Sequence, residues 1–238
     1  MTNSWQQTLN WQPNQQQQQQ FQHLYELILQ GNQQLNLTRI TDPQEFWEKH
    51  LWDSLRGILP QKQFISSLSG TASVIDIGTG AGFPGVPVAI ALPNCTITLV
   101  DSTRKKIAFI EQLLTKITLT NAKTVIARAE EIGHHPQHRQ TYDVALIRAV
   151  GHPSVCAEYT LPLLKQGGLA VVYRGNWTAE ETKSLQNAVK QLGGVIELID
   201  QFTTPLTNSI RHCLYLRKIT NTPDKFPRAA GVPTHKPL

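Results

Sequence analysis

The residues able to do chemistry cluster between positions 74 and 101. Val74 to Ile77 is a short β-branched run that includes Asp76, and it meets glycines at alternate positions, Gly78, Gly80 and Gly82. Such a composition suits a strand that turns sharply into a helix. Glycines there let the backbone take positive φ and approach a ligand closely, while the N–H groups opening the next helix point at whatever is bound. Thr96 to Val100 reads as a second buried strand that ends in Asp101. An acid about 20 residues past such a loop is placed to accept from both hydroxyls of a ribose. The expected ligand is a nucleoside.

Spacing decides which one. A dinucleotide site requires Gly-x-Gly-x-x-Gly, and Phe83 stands where its third glycine would fall. Asp76, a carboxylate beside the loop, would repel a pyrophosphate and suits the ammonium of an amino-acid moiety. S-adenosylmethionine is therefore favoured over NAD as the cofactor.

The elements that must position these groups alternate along the chain. Beyond Asp101 a helix marked by Ile107, Ile110, Leu113, Leu114 and Ile117 precedes a strand at 124 to 126, then strands at 142 to 147 and 169 to 173 separated by another helix. Thr178 and Glu181 have capping-box spacing and open a helix that runs toward Gly193. Two late strands, 195 to 202 and 211 to 217, have no helix between them. This alternation predicts an α/β, doubly wound, mainly parallel sheet over 72 to 218 with a late antiparallel hairpin. Ligands bind across the carboxyl ends of such strands. The strand tips to watch are thus the glycine loop, Asp101, Ala129-Glu130 and Arg148, with Glu130 flanking an adenine edge and Arg148 facing the place where methyl group and acceptor meet.

Residues 1 to 20 are Gln-rich and end in six consecutive glutamines, so a disordered tail is expected there. A helical segment follows over 21 to 71. Its first helix is expected to stop at Gly31, and its second opens at Asp42-Pro43-x-Glu45, where Glu45 can close a capping box. His50, Asp53 and Ser54 lie too nearly side by side on that helix for a hydrolase triad, so structural hydrogen bonding is the reading. Residues 219 to 238 form a basic, proline-containing tail.

The chain has 238 residues, a net charge of +5 and 16% charged residues. No apolar run approaches the roughly 20 residues a bilayer requires, and no secretion signal is visible. A cytoplasmic protein is the simplest reading of that composition. Cys95, Cys156 and Cys213 are odd in number and far apart, which argues against both a disulfide framework and a zinc site. His134, His135 and His138 sit in a polar loop without supporting acids, so no metal is expected there either. Arg104-Lys105-Lys106 is a compact basic triplet just past Asp101, and the tail adds further cations. Cations near a nucleoside site suggest a polyanionic substrate, although from charge alone a solvated helix face and an ordinary soluble tail are the favoured reading.

Asp76-Ile-Gly-Thr-Gly-Ala-Gly-Phe-Pro-Gly-Val-Pro87, followed by Thr98-Leu-Val-Asp-Ser102 and the basic triplet, resembles the bacterial 16S ribosomal RNA guanine-N7 methyltransferases, a family also called glucose-inhibited division protein B. Asn36-Leu37-Thr38, His50-x-x-Asp53-Ser54, Arg148-Ala149 and Pro227-Arg228-x-x-Gly231-x-Pro233 resemble it too, so the likeness covers about residues 21 to 238. It implies a class I S-adenosylmethionine-dependent fold, Rossmann-like, behind a helical amino-terminal segment. The implied activity is methylation of N7 of guanine 527 in 16S ribosomal RNA, with the RNA or the small ribosomal subunit as partner and a monomer as the acting species. Cofactor contacts implied by the likeness are Gly78, Phe83, Asp101, Ser102, Thr103, Ala129, Glu130 and Arg148; the residues themselves add Asp76, Gly80 and Gly82 as cofactor contacts and place Arg148 to align the reactants. On charge and position, the expected RNA contacts are Arg104, Lys105, Lys106, Arg174 and Arg228. Ile147 stands where the family commonly has serine, and Arg174-Gly175 where it has Lys-Gly.

The residues themselves agree with an N7 target. No Asn-Pro-Pro-Tyr-like tetrapeptide follows the fourth strand to hold an exocyclic amine, and no Pro-Cys pair is there to attack a pyrimidine. Two other classes stay open at this point: a small-molecule methyltransferase, which turnover of a phenol or amine would reveal, and a non-catalytic RNA-binding protein, which would bind cofactor without turnover.

Overall fold

A computed structural model describes residues 2–68 and 70–238. The chain opens with α1 (Thr2–Leu9) and α2 (Gln15–Leu35). Contrary to the expectation of a disordered tail, the six-glutamine tract opens α2 as the first six of its 21 residues. Asn14 caps it in a closed capping box with Gln17, and glutamine is a good helix former. The tract's amides also have work: Gln17 Nε2 donates to Ile90 O at 2.8 Å, and the buried Gln20 donates Nε2 to Ile117 O at 3.1 Å. Trp5 on α1 is buried against Trp11, Phe21 and Trp47. Composition predicted disorder because it counts glutamine as polar; here two of the glutamines satisfy carbonyls that would otherwise be left bare.

Gly31 does not stop α2 either. The helix runs on to Leu35 and ends with Asn36 in the left-handed region, φ 47°. Gly31 is a packing residue: a Cβ built there would lie 2.3 Å from Phe109 Cε2.

The second helical stretch comprises α3 (Pro43–Phe46), a π-helical section Trp47–Trp52 and α4 (Asp53–Arg56). Asp42 caps it by accepting from Gln44 N and Glu45 N, both at 2.9 Å. Glu45 does not close a box; its carboxylate takes Lys49 Nζ at 2.7 Å instead. A 3-10 turn, Leu59–Gln61, and α5 (Lys62–Ser67) lead to the sheet.

The sheet then alternates with helices as the pattern predicted: β1 (Ser73–Ile77), α6 (Gly85–Ala91), β2 (Thr96–Asp101), α7 (Arg104–Lys116), β3 (Ala122–Ile126), α8 (Ala129–Ile132), β4 (Tyr142–Arg148), α9 (Pro153–Thr160), β5 (Leu164–Arg174), α10 (Ala179–Gln191), β6 (Gly194–Thr203) and β7 (Ile210–Lys218). A last turn, α11 (Val232–His235), lies in the tail. Strand order is β3-β2-β1-β4-β5-β7-β6, with β1 to β5 parallel and β7 antiparallel to both neighbours. The order reverses between β1 and β4, which opens a crevice at their carboxyl ends.

Side chains alternate across the sheet and build two cores. Val74, Val144 and Leu146 face one, with Leu24, Ile28, Leu55, Val86 and Ile110; Ile75, Ala145 and Ile147 face the other, with Val155, Leu185 and Phe226. The helices before β1 therefore share a core with α6 and α7. Fully burying each such side chain contributes about 1.5 to 3 kcal/mol, so this shared core fixes the amino-terminal helices beside the crevice.

Candidate active site

The loop after β1 is shaped from below by two carboxylates. Asp101, at the tip of β2, receives Gly80 N on Oδ2 at 3.0 Å and Thr103 N on Oδ1 at 2.8 Å. Each oxygen keeps a lone pair for a further donor. Gly78 and Gly80 have φ of 70° and 60°, conformations that a side chain would strain. A Cβ on Gly78 would lie 2.8 Å from Val150, and one on Gly80 would meet nothing nearer than 3.9 Å. Gly80 thus leaves an open surface over which a ligand can lie close to the backbone.

Asp76 is wholly buried, so it sits under the loop and not in it. Its Oδ2 accepts from Gly85 N at 2.8 Å, while Oδ1 and the neighbouring Thr79 hydroxyl are without a properly directed partner. Burial pushes the carboxyl from its ordinary 3.8 to about 6, against the lowering pull of Thr79 and Gly85. The native state then holds the proton more tightly than the unfolded chain does. The stability from this carboxyl is complete below about pH 4 and lost as pH rises through about 6. Asp76→Asn should accordingly gain on the parent as pH rises, by at most about 3 kcal/mol at pH 8, with no gain at about pH 4. Thermal unfolding across that range measures it; a gap independent of pH would show that the buried charge is not what matters.

A cavity of about 240 Å³ opens at the strand tips. Gly78, Asp101, Ser102, Ala129 and Glu130 converge on it, so five of the residues singled out from sequence meet at one place. Ile77, Val100, Ala127, Arg128, Val150, Tyr159, Gly231 and Thr234 line it as well. Sequence reasoning missed these eight. The strand-end residues could have been found as neighbours of the tips, and Gly231 belongs to the tail pattern; Tyr159 gave no signal. A groove of about 410 Å³ between α2 and α7 is larger, but it runs along the helix flank, away from the strand ends where the polar groups converge.

Other expected site residues lie around the cavity without lining it. Thr103 is the residue before α7, where it stands exposed. Phe83 is buried and stacked on His50, centroids 4.5 Å apart at 13°. Arg148 turns toward the amino-terminal helices: Nη1 donates to Asp53 Oδ2 and to Lys49 O, both at 3.0 Å, and Nη2 approaches His50 Nδ1 at 3.4 Å. A guanidinium can only donate, so His50 Nδ1 accepts and Nε2 carries the hydrogen toward Thr38 Oγ1 at 2.8 Å. Burial, with Arg148 and Lys49 nearby, pushes His50 down to about 3, so the ring is neutral.

The basic residues divide. Arg104 and Lys105 are exposed, Lys106 is half-buried, and none of the three has an ion pair among the described residues. Arg174 is held by Gly151 O at 2.9 Å and lies 3.6 Å from Glu181. Arg228 departs from the expected RNA role most clearly. Its guanidinium grips the fully buried Glu158, Nη2 to Oε2 at 2.6 Å and Nε to Oε1 at 2.9 Å, because an acid at that depth needs a cation.

Two further groups have assigned partners. His134 Nε2 donates to Pro227 O at 2.6 Å, and His138 Nδ1 shares a hydrogen bond with Tyr142 OH at 2.6 Å, so the three-histidine loop is engaged in structure. Cys156 donates to Val150 O, and burial pushes its thiol up to about 12, which leaves no nucleophilic thiolate.

A seven-stranded sheet of this order, with a glycine loop after β1 and an acid at the tip of β2, defines a class I S-adenosylmethionine-dependent methyltransferase. Solved structures share the fold: a 16S rRNA (adenine(1408)-N(1))-methyltransferase from Catenulisporales acidiphilia aligns with a TM-score of 0.54 at 17% identity, over 69% of this chain and 93% of that one. The antibiotic-resistance methyltransferase Kmr aligns with a TM-score of 0.54 at 14% identity, over 68% and 94%. Within that class the family is set by sequence. The model of rRNA small subunit methyltransferase G matches residues 17–213, and the chain belongs to this family. Proteins described as ribosomal RNA small subunit methyltransferase G are 75% identical over 238 residues in Trichormus variabilis and 72% over 243 in Nostoc punctiforme, each covering 100% of this chain and 97% of the relative. S-adenosylmethionine is the cofactor. No described helix is long and apolar enough to cross a membrane.

Asp101→Ala should weaken binding of S-adenosylhomocysteine at least about tenfold in a folded protein. Charged hydrogen bonds contribute about 1.5 to 3 kcal/mol each, and the same truncation also releases Gly80 and Thr103. Titration calorimetry checks this, and an unchanged dissociation constant would remove Asp101 from the site.

Proposed function

We propose that this chain transfers the methyl group of S-adenosylmethionine to N7 of guanine 527 in the 16S RNA of the small ribosomal subunit, in the cytoplasm. The observation that carries this reading is the chemistry at the tip of β4: the side chain delivered there is a permanent cation, Arg148, anchored to Asp53, and the nearest imidazole, His50, is neutral and engaged. Among the described residues at that tip, no group is poised to take a proton from a target. Guanine N7 has none to lose, since its ring-plane lone pair attacks the methyl carbon directly while the C–S bond electrons return to sulfur. The donor supplies an activated methyl on a sulfonium; the residues contribute alignment and exclusion of water. In this reading Gly78, Asp101, Ser102, Ala129 and Glu130 hold the nucleoside, Asp76 and Gly82 shape the loop, and Phe83 with His50 walls the reacting end.

The basic triplet supports an RNA substrate for a reason beyond its charge. Arg104, Lys105 and Lys106 fill the first turn of α7, which has no acid. Cations there oppose the helix dipole, each costing about 0.3 to 1 kcal/mol. Helix stability does not explain the placement; a polyanion lying beside the cavity does. Mass spectrometry of small-subunit RNA from cells with and without the protein tests the assignment. One N7-methylguanosine should vanish at the proposed position, and loss of a methylated exocyclic amine or a different nucleotide would overturn it.

A further inference from the structure

The tail beyond β7 does not hang free. Arg139 Nη1 donates to Phe226 O at 2.8 Å and Nη2 to Thr222 O at 2.9 Å, while His134 holds Pro227 O. Arg228 then anchors to the buried Glu158 through both its side chain and its own N–H, the latter at 2.7 Å. Three residues on, Gly231 N donates to Glu130 Oε1 at 2.9 Å. These contacts carry the chain from the end of β7, the strand next to the sheet's edge, back over the strand tips. There Gly231 and Thr234 become part of the wall of the cavity that also contains Asp101, Ser102 and Ala129.

Glu130 is the joint. It is buried, and its Oε1 already receives two donors, Gly231 N and Tyr159 OH at 2.8 Å. Oε2 makes no hydrogen bond among the described residues. The part of the cavity farthest along the chain from the glycine loop thus combines apolar faces from Ala127 and Ala129 with a carboxylate oxygen that still accepts. An aromatic base carrying an exocyclic amine matches that combination: the flat ring takes the apolar faces and the amine donates to the oxygen. The ribose hydroxyls belong at the other end, with Asp101.

We propose that residues 231 to 234 of the tail complete the adenine subsite of the S-adenosylmethionine site, with Glu130 holding the tail by one oxygen and presenting the other to the base. Thr234 and Gly231 are then cofactor-positioning residues, and Arg228 serves the cofactor site through Glu158, not the RNA. Glu130 in a folded protein without the tail in place would have a bare, half-satisfied carboxylate, which explains why the tail docks where it does.

Two measurements on the full chain decide the matter, both with S-adenosylhomocysteine and without RNA, so neither depends on the guanine assignment. In the parent protein, saturating ligand should slow amide exchange at residues 229 to 235 at least about tenfold, because opening the tail would release the ligand. In Thr234→Trp, which places an indole at the cavity mouth, the dissociation constant should rise at least about tenfold, with circular dichroism confirming the fold. Tail exchange that ignores the ligand overturns the proposal, and so does a folded Thr234→Trp protein that binds as the parent does. If that variant fails to fold, the exchange result alone decides.

Discussion

Small-subunit RNA carrying 7-deazaguanine at the target position should bind the protein as the natural RNA does and should accept no methyl group above background. Replacing N7 by a C–H removes the lone pair that attacks in the proposed reaction, while leaving every phosphate and the Watson–Crick edge in place. Phosphate contacts dominate RNA affinity, so the dissociation constant should be essentially unchanged. Loss of turnover without loss of binding therefore isolates the atom. The structure adds a companion expectation. With His50 pushed down to about 3 and Cys156 up to about 12, the titrating acid in the loop's support is Asp76 at about 6. Single-turnover transfer to natural RNA should be flat from about pH 7 to 8.5, where a general base serving an amine or hydroxyl would still be titrating. Methylation of the analogue by this protein would sink the N7 reading outright.

How much of this could be read in the residues follows from what each signal depends on. The strand–glycine–helix turn at 74 to 85 and the acid at 101 are local: backbone freedom and spacing dictate them, and the structure has them as expected. The central strands β1, β2, β4 and β5 were legible because burial imposes short apolar runs between turn residues, and α10 because Thr178 and Glu181 close its capping box. Signals that depend on a distant partner were not. Gln17 and Gln20 read as polar filler until α6 and α7 supply carbonyls to cap. Gly31 reads as a stop until Phe109 occupies the space of its missing Cβ. Arg228 reads as a free cation until Glu158, 70 positions earlier, appears beneath it. Glu130 was legible as a strand-tip acid, yet its grip on Tyr159 and Gly231 has no sequence mark. Arg148 belongs to the same kind, since nothing near position 148 announces Asp53.

That link carries the last expected result. Arg148→Ala and Asp53→Ala should each lower the single-turnover methyl-transfer rate about tenfold or more, equivalent to about 1.4 kcal/mol, with affinity for S-adenosylhomocysteine within about twofold of the parent. Arg148 does not line the cavity; it ties the end of β4 to the helix over 47 to 56, and His50 on that helix stacks on Phe83 of the glycine loop. Removing the guanidinium leaves Asp53, 15% exposed, without its cation. Breaking a well-buried pair costs about 3 to 5 kcal/mol, and the residual exposure here puts the expected loss toward the lower end. The helix can then shift relative to the loop, and a misplacement of about 1 Å is enough to degrade an in-line approach. Because the two residues act through one contact, the double variant should be no worse than the poorer single one, a coupling that a double-mutant cycle measures directly. A loss of rate matched by an equal loss of cofactor affinity would make Arg148 a cofactor ligand instead. Additive losses in the cycle would show that Arg148 reaches the reactants by itself, independent of Asp53.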